Sequence, residues 1–172
     1  LQARYTPGHA DDHMVYYDAR NGCLIAGDMI TDKGAVLIPP SHGDLAIYLN
    51  SLNSLTTLQL TVVIPAHGQP IIEKPNRFLL KAMRHRYERI HAVSHALVKA
   101  GGEARDATDI THAVYGRSIP DAVLVFAQLS VESSLHWLQN VGLVENRAHR
   151  WYAVENSLAE QAILDSLKQI DE

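Results

Sequence analysis

The sequence predicts an α+β fold in two parts, strand-rich over residues 1–75 and mostly helical over residues 76–172. Three observations carry that reading. Two short runs, residues 13–18 and 22–27, flank Ala19-Arg20-Asn21, and Asn21-Gly22 is a strong hairpin signal. A helical pattern of Leu45, Leu49, Leu52 and Leu55 is followed by the β-branched run 60–64. From Pro75 onward, apolar residues recur at helical spacing and are punctuated by Gly101-Gly102, Gly116 and Gly142.

Taken in order, residues 1–5 read as the end of a strand, and the hairpin's second strand ends at Asp28. Residues 31–34 are a polar loop, and the apolar piece 35–38 is stopped by Pro39-Pro40. Asp44 can cap the first helix because its short carboxylate can accept from the unpaired amides of the first turn. Residues 60–64 follow as a buried strand. Phe78, Ala82, Tyr87, Ile90, Val93 and Leu97 then mark one face of a long helix ended by Gly101-Gly102. Residues 109–115 form a short helix. Pro120 opens a third, running to about residue 141, with Val123, Phe126, Ser130, Leu135 and Leu138 facing inward. Residues 143–146 and 150–154 pair around Arg147-Ala148-His149, and 157–170 finish as an amphipathic helix. Three helices followed by a small hairpin is a winged-helix pattern.

Candidate chemistry gathers at three places. Thr6-Pro7-Gly8-His9-Ala10-Asp11-Asp12-His13 joins a sharp Pro-Gly turn to a histidine, two carboxylates and a second histidine. Leu24-Ile25-Ala26-Gly27-Asp28 and Val62-Val63-Ile64-Pro65-Ala66-His67-Gly68 are apolar runs that each deliver a polar residue into a loop. His9, Asp28 and His67 placed this way suit a divalent zinc site.

These motifs, in this order, resemble the second half of the metallo-β-lactamase superfamily, and more closely its β-lactamase-like protein 2 group. The similarity rests on TPGHADDHM at 6–14, GDMI at 27–30, DLAIYLNSL at 44–52, PAHG at 65–68 and His85-Arg86. It implies the C-terminal half of an αββα sandwich, with helix-then-strand order in one layer, followed by a winged-helix domain. It also implies a two-zinc hydrolase that uses a metal-bridging hydroxide on an ester, thioester or phosphodiester. His9 would serve the first metal, His67 the second, and Asp28 would bridge them. His13 is expected to support the site or hydrogen-bond in the core rather than bind metal. Asp11 and Asp12 either orient His9 or the metals or are solvated turn carboxylates. His85 and Arg86 either reach the cleft rim or bind substrate phosphate. His42, the helical pair His91 and His95, and Cys23 read as surface or core residues outside the site.

The chain departs from the family pattern in one major respect: the HxHxDH motif, which carries four further ligands, does not occur. Neither cation would then reach the three protein ligands usual for catalytic zinc. The expectation is therefore the C-terminal portion of a longer enzyme, inactive alone, that pairs with a separate N-terminal half or with a second copy. Ala10 and Ala66 replace a hydroxyl residue and a glycine of the family motifs without removing a ligand.

Composition limits the alternatives. The net charge of −4 lacks the basic footprint of a generic nucleic-acid binder. A groove-reading third helix would need basic residues, yet residues 120–144 contain neither Lys nor Arg. Sequence-specific DNA binding is not expected. A substrate is expected to be a small molecule or, as for animal members of the family, single-stranded RNA, with a non-catalytic nucleic-acid- or protein-binding module as the rival class. No apolar run reaches the roughly 20 residues of a membrane span. Lone Cys23 fits a reducing compartment, so a cytoplasmic location is expected.

Overall fold

A computed structural model describes residues 1–154 and 157–171 of the chain. It divides into two units, Leu1–Arg84 and His85–Glu172.

The first unit holds strands β1 (Gln2–Tyr5), β2 (Met14–Asp18) and β3 (Cys23–Gly27), helix α1 (Leu45–Thr56) and strand β4 (Val62–Pro65). The sheet order is β1-β2-β3-β4, antiparallel at the first two pairings and parallel between β3 and β4. Parallel neighbours need a crossover, and α1 provides it. Alternation along the strands sorts the side chains. Val15, Tyr17, Leu24, Ala26 and Val63 are buried, whereas Met14, Tyr16, Ile25 and Ile64 are exposed.

Helix α1 starts where the sequence places it. The Asp44 carboxylate accepts from the amides of Ala46 and Ile47 at 2.8 and 2.9 Å, a cap worth about 1 kcal/mol. Leu45, Leu49, Leu52 and Leu55 are all buried. Strand β4 begins two residues later than expected. The Thr61 amide is spent on the Gly22 carbonyl, 2.8 Å away, before strand pairing takes over.

Helix α2 (Pro75–Val98) runs across the division of the two units. The second unit continues with α3 (Ala107–Tyr115), α4 (Asp121–Asn140), the hairpin β5 (Val144–Arg147) and β6 (Arg150–Ala153), and α5 (Ser157–Asp171). Asp106 caps α3 by accepting from the Asp109 amide at 2.8 Å. The hairpin turns through Ala148 and His149, with φ of 50° and 61°, the left-handed pair a tight two-residue turn demands. Ile90, Val93, Leu97, Ile110, Val131, Leu135, Leu138 and Ile163 are buried here.

One sequence expectation fails on α4. Val123 and Phe126 are exposed, and Ala127 and Val131 take the inward positions. Residues 122–127 are apolar at every position, so spacing alone could not choose a face. Among the described residues, no helix is long and apolar enough to cross a membrane.

Candidate metal centre

The His9 turn is held by α1. The Gly8 carbonyl accepts from the Asp44 amide at 2.8 Å, and the Pro7 carbonyl accepts from Ser51 Oγ at 2.8 Å. Gly8 has φ +123°, and a Cβ there would fall on the backbone nitrogen and Cα of Tyr48. Tyr48 is tied down in turn, its hydroxyl donating to the Met29 carbonyl at 2.8 Å. Thus Asp44, Tyr48 and Ser51, three positions of the DLAIYLNSL motif, fix the loop that presents His9.

The orientation of the ring follows from its other nitrogen. His9 Nδ1 lies 2.9 Å from the Leu37 carbonyl, which can only accept, so Nδ1 carries the proton. In the neutral ring, the Nε2 lone pair then faces Asp28 Oδ2, at 3.9 Å. His67 lies near the other oxygen of the same carboxylate, with Nε2 3.6 Å from Asp28 Oδ1. Parallel pairing of β3 and β4 places Asp28 and His67 just past the same end of neighbouring strands, and the Gly27 carbonyl accepts from the Ala66 amide at 2.9 Å. His67 is largely exposed, while His9 and Asp28 are partly covered.

Both imidazole–carboxylate separations exceed hydrogen-bond length. Yet two atoms bound to one zinc at about 2.1 Å each can lie up to about 4.2 Å apart, and 3.6 and 3.9 Å both fall within that limit. The donor set is also right for zinc, with two imidazole nitrogens and one carboxylate. By themselves the residues are too few: among the described residues, no group of three or more His, Cys, Asp or Glu is placed to hold one metal ion.

His13 is engaged through both nitrogens. Its Nε2 accepts from the Asp28 amide at 3.1 Å, so Nδ1 carries the proton and donates to Thr6 Oγ1 at 3.0 Å. It steadies the Asp28 backbone and has no lone pair left for a cation. Burial holds its pKa below the ordinary histidine value, and neighbouring His9 adds to this, while Asp28 opposes it. Its ring stands edge-on to that of His9, with centroids 6.2 Å apart. Gly27 makes room, since a Cβ there would lie 2.8 Å from His13 Nε2.

The carboxylates of Asp11 and Asp12 are exposed, and Asp12 reaches His13 through its charge. His85 and Arg86 belong to the second unit, where Arg86 is buried along α2. Partial desolvation lowers the pKa of His85, and the guanidinium groups of Arg86 and Arg89 add to the effect. His42 bonds its neighbour Ser41 at 2.8 Å, and the His91 and His95 rings stack on α2 with centroids 6.2 Å apart.

The sequence does not single out Asp32, which lies in the polar loop of residues 31–34. Its Oδ1 is buried without a hydrogen-bond partner and lies over Gly68, the residue after His67. Gly68 has φ +103°, and a Cβ there would overlap that oxygen. A second carboxylate four positions past Asp28 was the available signal.

Residues 1–67 match the family profile described as the metallo-beta-lactamase superfamily. A Caenorhabditis elegans protein named beta-lactamase-like protein 2 homolog is 32% identical over 143 residues, covering 82% of this chain and 45% of its own length. The chain belongs to the metallo-β-lactamase superfamily. A probable metallo-hydrolase of Bacillus subtilis, YqjP, is 36% identical over 73 residues, which is 38% of this chain and 23% of that protein. In three dimensions, a metallo-β-lactamase family protein from Thermus thermophilus superposes with a TM-score of 0.75 at 24% identity, over 90% of this chain and 49% of its own. The α+β fold is that of metallo-β-lactamase structures, and the superfamily is one of metal-dependent hydrolases. The chain spans less than half the length of these relatives.

Proposed function

We propose that the chain supplies His9, Asp28 and His67 to a dinuclear zinc centre that hydrolyses an ester, thioester or phosphodiester. One observation carries this reading: each oxygen of the Asp28 carboxylate faces a different imidazole Nε2, as a carboxylate shared between two cations requires. When bound, the metals supply Lewis-acid chemistry, activating water at neutral pH and polarising the scissile group. The chain's own residues do the placing. Leu37 turns the His9 lone pair inward, His13 pins the Asp28 amide, and the α1 contacts hold the Pro7-Gly8 turn. His67, largely exposed, forms the side open to substrate.

With one imidazole and a shared carboxylate for each cation, further histidine and aspartate ligands must come from another polypeptide segment. We propose that the four-stranded sheet is one half of an αββα sandwich and docks on that segment or on a second copy. Ala3, Tyr16, Ile25 and Ile64 are in register across all four strands, and Tyr16, Ile25 and Ile64 are 37–43% exposed. A row of large apolar side chains of this kind marks an interaction face. The second unit is read as a winged-helix appendage, its α4 too poor in cations to read DNA.

The test is hydrolysis in zinc by the chain alone and together with a polypeptide bearing the HxHxDH loop. Activity in the mixture that is lost with Asp28→Asn is expected. Hydrolysis by the isolated chain would refute the shared-ligand reading.

A further inference from the structure

The second unit contains a cavity of about 270 Å³ where the end of α2, the chain leading into α3 and the end of α3 meet. It arises from two features of the sequence. Gly101 and Gly102, with φ of +63° and +89°, turn the chain back so that Arg105 can pair with Trp151 at 3.0 and 2.8 Å. Ala96, Ala100 and Ala113 then line the space with single methyl groups that leave it unfilled, alongside the buried Ile110.

The polar lining is mainly cationic. Lys99, Arg105 and Arg117 border the cavity with one carboxylate, Asp109, and His112. Arg105 is already paired with Glu103 at 2.8 Å, whereas Lys99 and Arg117 make no ion pair among the described residues. For a protein whose formal charge is −4, this is a local inversion of sign. Lys99 and Arg117 stand just past the C-terminal ends of α2 and α3, where the helix dipole favours a cation. Offsetting the helix dipole would not require the cations to border an open cavity.

We infer that this cavity binds a phosphate group, with Lys99, Arg105 and Arg117 supplying the donors. Arginine offers planar, multidentate hydrogen bonding to phosphate oxygens, and lysine adds a point charge. Asp109, an acceptor, would repel a bare anion but suits a hydroxyl beside the phosphate, as in a sugar phosphate or nucleotide. The volume fits one such unit. The phosphate could belong to a free monoester or to a strand of nucleic acid, and the experiment separates these sources. The inference stands apart from the metal centre of the first unit.

The test is calorimetric titration of the full 172-residue chain at low salt with inorganic phosphate, adenosine monophosphate and a short single-stranded RNA. Saturable binding of the mononucleotide, weakened roughly ten-fold by Lys99→Ala and again by Arg117→Ala, is the expected result for a free monoester. Binding of the RNA alone, weakened by the same substitutions, would support the phosphate site and assign it to the polymer. Both side chains are exposed, so the variants should keep the parent circular dichroism spectrum, and Arg117→Lys should retain part of the affinity. Absence of binding by all three probes at millimolar concentration, or affinity indifferent to both substitutions, would overturn the inference.

Discussion

Replacing Gly8 by alanine probes how the loop that presents His9 is held. Gly8 has φ +123°, a conformation that costs a non-glycine residue about 1–3 kcal/mol. The new Cβ would also fall on the Tyr48 backbone and 2.7 Å from the Tyr48 Cβ. A helical backbone cannot swing aside as a long side chain can, so overpacking adds about 1–3 kcal/mol. The combined loss of about 2–6 kcal/mol is a large part of the roughly 5–15 kcal/mol that holds a domain together. Gly34→Ala is the control, because Gly34 has φ +72° but nothing within 4 Å of an added Cβ. Both tryptophans, Trp137 and Trp151, lie in the second unit and would not report on this loop. Urea unfolding should therefore be followed through amide signals of β1–β4, comparing midpoints at constant slope. If Gly8→Ala costs no more than about 0.5 kcal/mol beyond Gly34→Ala, the close packing of this turn on α1 is wrong.

Three other outcomes are expected. Gly68→Ala should be destabilising because its Cβ would overlap Asp32 Oδ1, and Asp32→Ser should relieve much of that loss, giving a coupling of about 1 kcal/mol or more in a double-mutant cycle. Because folding lowers the His13 pKa from 6.5, its contribution to stability is present above about pH 6.5 and is lost as pH falls toward the folded value. The stability gap between the parent chain and His13→Gln should accordingly narrow from pH 7.5 to 5.5, and a constant gap would contradict a neutral buried ring. Ile25→Lys on the exposed sheet face should abolish any self-association seen by light scattering while changing stability by less than about 0.5 kcal/mol.

Local chemistry made much of this protein legible from its residues. Asp44 caps α1 because a short carboxylate before an apolar repeat satisfies amides only two and three positions away. Asn21-Gly22 marks the β2–β3 hairpin for a similarly local reason, as Gly22 accepts φ +64°. The ends of two apolar runs pointed to Asp28 and His67, and the Pro-Gly turn to His9.

Tertiary structure decided what depends on distant partners. His9 and His13 are four residues apart and chemically alike. They differ because one ring meets the Leu37 carbonyl, leaving a lone pair toward Asp28, and the other meets Thr6 and the Asp28 amide, leaving none. The inward face of α4 was likewise undetermined by residues 122–127, where every position is apolar and only packing selects Ala127 over Phe126. Asp32 gained its place over Gly68 in the same way. Sequence spacing encodes contacts within a turn or a strand pair, whereas the lone-pair directions of a site are set by the carbonyls and amides that other elements bring to it.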